Sequence, residues 1–169
     1  MELAISKTAN SISELEVDME NYSTENNSQD VTSKYGLCPE CNKPNTGPLW
    51  CNQCNAKRFQ QEFPNWTSRN KCIDNFIQET QLNAKSLFEV LEWIPYNRLT
   101  NIKYLAKGGF STVYNAIWSD GFIQWWDYGK KQWDRVRYDS IKGYSVVIKS
   151  LNNSSNINEE FLNEVRYLY

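Results

Sequence analysis

A chain of 169 residues with 40% hydrophobic content and a net charge of −2 has room for one ordinary domain, or for small modules joined to part of one. That balance argues against nucleic-acid binding driven by bulk charge, and no apolar run reaches the roughly 20 residues a membrane helix needs. There is no histidine, which excludes histidine metal ligands, histidine bases and Ser-His-Asp triads. The opening Met1-Glu2-Leu3-Ala4-Ile5-Ser6-Lys7 lacks the basic start and apolar centre of a signal peptide. The expectation is an intracellular, cytoplasmic protein whose five cysteines stay reduced.

Residues 1–34 are polar and acidic, with seven acids against Lys7 and Lys34. Ser11-Ile12-Ser13-Glu14 has capping-box spacing, and Ile12, Leu15 and Met19 fall on one helical face. So short a helix is marginal alone, and Asn21 to Ser33 holds little that could be buried. A disordered acidic tail is expected over 1–34.

Cys38-Pro39-Glu40-Cys41 and Cys51-Asn52-Gln53-Cys54 follow, nine residues apart. Two C-x-x-C pairs on tight turns offer four thiolates, the tetrahedral set that suits structural Zn2+. Disulfides and free thiols are the alternatives. Asn42 and Asn55 each follow a pair, where a positive φ is expected, and Thr46-Gly47-Pro48 supplies the reversal between the pairs. A zinc-binding module of four cysteines is expected over 35–60. Its spacing is similar to the zinc finger of the Ran-binding-protein type, including Asn45 after Cys41. Here, however, the second pair comes one residue sooner, and Trp50 precedes that pair instead of a tryptophan preceding the first. Cys72 stands apart as a small buried or half-exposed hydrophobe.

A connector over 61–97 comes next. Lys57 to Asn70 reads as polar chain with Phe59, Phe63 and Trp66 as punctuation. Ile73, Phe76, Ile77 and Thr80 share one helical face, and Leu87, Phe88, Leu91 and Ile94 another, ended by Pro95. Two short amphipathic helices are therefore expected, packed on a neighbouring domain.

From Leu99 the pattern turns to strands. Asn101 to Lys107 and Ser111 to Trp118 form a hairpin around Gly108-Gly109. An insert over 119–142 carries Phe122, Trp125, Trp126, Tyr128, Trp133 and Tyr138, with Ile123–Tyr128 expected to pair with Gln132–Tyr138 across Gly129-Lys130-Lys131. Aromatics mixed with basic residues can stack single-stranded nucleic acid. Five basic residues there face four acids, which favours a cross-strand aromatic hairpin instead. Tyr144 to Leu151 is a third strand. From Glu159, Phe161, Leu162, Val165 and Leu168 return to helical spacing with Glu164 beside them.

The order is a hairpin with a glycine loop, a strand with Lys149 and a helix with Glu164. Over 98–169 it resembles the start of a protein kinase N-terminal lobe. It is most similar to kinases of the tyrosine-kinase-like type. With Val90-Leu91-Glu92-Trp93-Ile94-Pro95-Tyr96 and the cysteine pairs, it resembles an expanded fungal group of these. The implied fold is α+β: a small zinc knuckle of four cysteines, two short helices, then antiparallel strands and the beginning of a helix. The implied ATP site comprises Leu105, Gly108, Gly109, Phe110, Ser111, Val113, Val147, Lys149 and Glu164. Leu105 and Val113 would sandwich adenine, the glycine turn would cover the phosphates, and Lys149 would hold them while paired with Glu164. Glu160, one turn earlier, is the fallback partner.

Three positions depart from the family pattern. Ala106 and Ser111 stand where two glycines belong, and Val147 stands where V-A-I-K has alanine. The histidine of a His-Arg-Asp catalytic loop is absent, and no Asp-Phe-Gly is present for Mg2+. No catalytic residue is assigned. The resemblance implies the N-terminal part of an ATP-dependent protein kinase, with Mg2+ entering only in a complete enzyme. This chain itself is expected to be inactive and to bind nucleotide weakly. The alternative is a non-catalytic, pseudokinase-like or zinc-module adaptor. Either way a protein substrate or signalling partner is implied but not identified, and neither nucleic acid nor membrane is expected.

Overall fold

The computed structural model describes residues 34–109 and 111–151. The expected acidic tail, Phe110, and the expected helix from Glu159 with Glu160 and Glu164 lie outside the described residues. Within them the order is α1 (Asn52–Glu62), α2 (Lys71–Asn83), β1 (Leu99–Lys107), β2 (Ser111–Trp118), β3 (Phe122–Asp127), β4 (Gln132–Val136) and β5 (Tyr144–Leu151). The arrangement is α+β, with antiparallel strands in two sheets, β1-β2-β5 and β3-β4.

Among the described residues there are two α-helices, but one is not where the periodicity places it. Of the expected connector from Lys57 to Asn70, Lys57 to Glu62 belongs to α1 instead. Its buried stripe is Cys54, Asn55, Arg58 and Phe59, half of it polar, so the apolar period is faint. A 3-10 turn at Phe63–Asn65 ends it, where Pro64 lacks the N–H a longer helix would need. α2 matches its expected face, burying Ile73, Phe76 and Ile77. The side chain of Asn70 caps it, accepting from the backbone N–H groups of Cys72 at 2.9 Å and Ile73 at 3.4 Å.

The second expected helix, over Leu87 to Ile94, does not form. Only a 3-10 turn at Leu87–Glu89 does, followed by extended chain. A helix would aim its apolar residues at one neighbour. Here they serve three. Leu87 and Val90 pack with Trp50, Phe59 and Ile123; Leu91 packs with Ile73, Phe76 and Ile77; Ile94 packs with Trp118, Val146 and Ile148. Glu92 in the same segment accepts from the Arg135 guanidinium at 2.7 Å and from the Ile123 N–H at 2.8 Å, tying the segment to the β3–β4 hairpin. Burial pushes its carboxyl up, against the pull of Arg135.

The strands lie close to expectation. β2 pairs with β5 without a break from Ser111↔Leu151 to Trp118↔Tyr144. Successive side chains alternate, so Ala116, Trp118, Tyr144, Val146 and Ile148 enter the core. Val113, Asn115, Val147 and Lys149 take the opposite face. β3 and β4 pair Trp126 with Trp133, and Lys131 turns the hairpin at φ 52°. Gly121 enters that hairpin at φ +68°, where an added Cβ would lie 1.7 Å from the Val136 carbonyl oxygen. Among the described residues, no helix is long and apolar enough to cross a membrane.

Candidate functional site

The two cysteine pairs converge. Sγ of Cys38 lies 3.8 Å from Sγ of Cys54, Sγ of Cys41 lies 3.7 Å from Sγ of Cys51, and all four fall within 4.8 Å of one another. Zn–S bonds of about 2.3 Å in a tetrahedron put sulfurs roughly 3.8 Å apart. A disulfide needs about 2.05 Å, and all five cysteines are free thiols. The donor set therefore fits a metal ion such as zinc. Four protein ligands leave no open position, so the site is suited to structure and not to activating water.

Local backbone builds this geometry. In the first turn Cys38 donates its N–H to the Lys43 carbonyl at 2.8 Å, and Asn42 donates to the Cys38 carbonyl at 2.9 Å. Asn42 takes the expected positive φ, 53°. Asn55 does not, because the second pair is not on a loop. Cys51 is the N-cap of α1 and Cys54 lies in its first turn. The helix N-terminus directs partial positive charge at these sulfurs. Asn55 is instead buried in the helix, accepting from Arg58 Nη1 at 2.6 Å.

The thiols differ in acidity. Burial opposes ionisation of Cys38, but the Cys41 N–H and the Tyr128 hydroxyl outweigh it and bring Cys38 down to about 7. Burial, then the neighbouring thiols, push Cys54 up, and burial also raises Cys51. One anion forms readily and makes the others harder to ionise. A bound cation reverses that penalty, since a coordinating thiol is deprotonated outright.

The module is docked through the end of α2. Trp50 is completely buried, and its Nε1–H donates to the Ala84 carbonyl at 3.0 Å. The Asn52 side chain donates to the carbonyls of Leu82 and Ala84 at 3.0 and 2.9 Å. Carbonyls that a helix C-terminus leaves orphaned are thus taken up by side chains beside the cysteines. Trp133 of β4 stacks on Phe59 at 4.8 Å and on Trp50 at 5.8 Å, joining the aromatic hairpin to the same core.

Two residues beside the cysteine cluster were not foreseen from the sequence. Arg58 reaches Glu40, inside the first cysteine pair, and its guanidinium lies 4.3 Å from the Trp126 ring centre and 5.6 Å from that of Tyr128. The Tyr128 hydroxyl stands 3.6 Å from Sγ of Cys38, across 90 residues of chain. Spacing offers no signal for Tyr128. A basic residue one helical turn after a cysteine pair was a signal for Arg58. Cys72 is exposed and takes no part.

The glycine-loop residues are partly assembled. Val113 faces Lys149 directly across β2 and β5, with Ala106 on the other side of Val113. Val147 shares that face and is 36% exposed, and Lys149 is exposed too. Leu105 sits at a bulge of β1, 53% exposed. At the tip the Gly108 N–H donates to the Ser111 carbonyl at 2.8 Å, and Ser111 is buried. Among the described residues, an added Cβ would meet only that oxygen at Gly108, 3.7 Å away, and nothing within 4 Å at Gly109. Phe110 and Glu164 lie outside the described residues, and with them the Lys149–Glu164 pair. No protein-family model, curated protein or solved structure matches the chain.

Proposed function

We propose that this chain is a zinc-braced nucleotide-binding unit, the N-terminal lobe of a protein kinase that uses ATP to phosphorylate protein hydroxyls. One observation carries the kinase reading. A glycine-tipped antiparallel hairpin is followed by a third antiparallel strand, and that strand sets Lys149 beside Val113 on the sheet's open face. Such a face can lay an apolar surface against a base while an ammonium meets phosphate. Zn2+ held by Cys38, Cys41, Cys51 and Cys54 would be structural, in a reducing intracellular setting where the thiols remain available. Mg2+ would accompany the phosphates in a complete kinase.

An acyl-phosphate derivative of ATP tests the nucleotide site directly. It transfers its acyl group to an amine held against the phosphates, and covalent capture tolerates weak binding. Lys149 should be acylated ahead of Lys103 and Lys107, and excess ATP should suppress the reaction. Equal labelling of the three lysines, unaffected by ATP, refutes the proposal. A second reading, a non-catalytic adaptor, is favoured by Val147. Its side chain shares the Lys149 face where an alanine would leave room for a base, and overpacking of this kind costs about 1–3 kcal/mol.

A further inference from the structure

We propose that Tyr128 donates a hydrogen bond to the metal-bound thiolate of Cys38, held in place by Arg58, so that the aromatic hairpin governs how firmly the metal is retained. This rests on the zinc reading of the four cysteines and goes beyond it, because Tyr128 is not a ligand.

The hydroxyl oxygen and Sγ are 3.6 Å apart, within range for a hydrogen bond to sulfur. A thiol and a phenol leave its direction open. A thiolate bound to metal has no proton and can only accept, so occupancy fixes Tyr128 as the donor. Four thiolates around Zn2+ form a dianionic centre, and groups outside the ligand set that donate to it strengthen retention. Arg58 brings a positive charge to the same side. Its guanidinium bridges Glu40 of the first cysteine turn, Asn55 of α1, and the rings of Trp126 and Tyr128. The turn beyond Tyr128 is also fixed. Asp127 Oδ1 accepts from the Lys130 N–H at 2.8 Å, and its other oxygen meets Lys130 Nζ at 3.0 Å. Arg58 thus flanks the Tyr128 ring, which is 43% exposed, and the turn that carries it is braced.

The test uses the full chain loaded with Zn2+, and separately with Co2+. Metal content is measured first and should be about one per chain in the parent and in Tyr128→Phe, which keeps the ring. Zinc release to 4-(2-pyridylazo)resorcinol should then be about tenfold faster in Tyr128→Phe. The thiolate-to-cobalt charge-transfer band should move to lower energy, since a sulfur relieved of a hydrogen bond gives up charge more easily. Tyr138→Phe, at a tyrosine stacked on Tyr144 instead, should change neither quantity. An unshifted band overturns the proposal even if release accelerates, because loosened packing alone would do that. An unchanged release rate overturns it as well. A chain that holds no metal overturns the zinc reading together with this one, whereas metal held with equal rates and bands overturns this one alone.

Discussion

Trp50, beside the second cysteine pair, is wholly buried with its N–H on the Ala84 carbonyl, while Leu105 and Val147 on the glycine-loop sheet stand open to solvent. The contrast runs through both regions. Around the cysteines, Asn52 finds partners on the end of α2, and Arg58 finds them in Glu40 and Asn55. The β1-β2-β5 sheet packs one face with Trp118, Val146 and Ile148 and presents Val113, Val147 and Lys149 on the other. Pairing around the cysteines is dense but incomplete, since Asn55 Nδ2 is buried with no hydrogen-bond partner among the described residues; a densely paired region holds shape, and a face left open can accept something. Substitutions should therefore be costly in stability around the cysteines and mild on the open face.

Metal removal should show the largest effect. Structural zinc contributes about 10–16 kcal/mol in small zinc-finger peptides, as much as or more than the whole stability of an ordinary domain, about 5–15 kcal/mol. Chelation, or Cys54→Ser, is expected to melt α1 and detach the cysteine turns, seen as lost helical circular dichroism together with lost metal. A chelated protein with an unchanged spectrum and melting temperature would show that no metal braces the cysteine turns. Trp133→Ala should come next, at about 3 kcal/mol by denaturant unfolding, because Trp133 stacks on both Trp50 and Phe59.

Asp74 should give a smaller, pH-dependent effect. Burial raises its carboxyl, but the Ser68 and Thr67 hydrogen bonds outweigh that and hold it below the ordinary aspartate range. A depressed folded pKa means that this stabilisation is present above about pH 4 and is lost as pH falls through the folded value. Asp74→Asn should cost about 1 kcal/mol at pH 7, and the difference from the parent should shrink toward about pH 2 in denaturant titrations. The smallest effect belongs to the open face. Val147→Ala should change stability by no more than about 0.5 kcal/mol while raising ATP-suppressible acylation of Lys149. A large stability loss there would mean that the face is packed and not open.

The strands and the cysteine cluster were legible in the sequence because both rest on local spacing. The β-branched run Val146-Val147-Ile148 marked β5 to the residue, and the paired C-x-x-C turns gave the four candidate ligands before any fold was known. α1 was hidden because Asn55 and Arg58 occupy half of its buried stripe, and their worth depends on Glu40, Trp126 and Tyr128 elsewhere in the chain. The Leu87 to Ile94 segment misled for the opposite reason. Its apolar spacing suits a helix, yet three separate clusters claim those residues. The place of Tyr128 beside the cysteine cluster exists only in the folded chain.

The separation between Cys38 and Tyr128 also has a consequence in time. A ribosome adds about 5–20 residues per second, and early segments can organise before later ones exist. The four cysteines are complete once Cys54 has emerged, so the ion can be captured while the hairpin is still unmade. Tyr128 reaches Cys38 only by closing a loop of 90 residues, a later event. On the proposed roles of the metal and Tyr128, newly made protein would pass through an interval in which the metal is bound but uncapped, and a chelator that competes during synthesis should strip it more readily than one added afterwards.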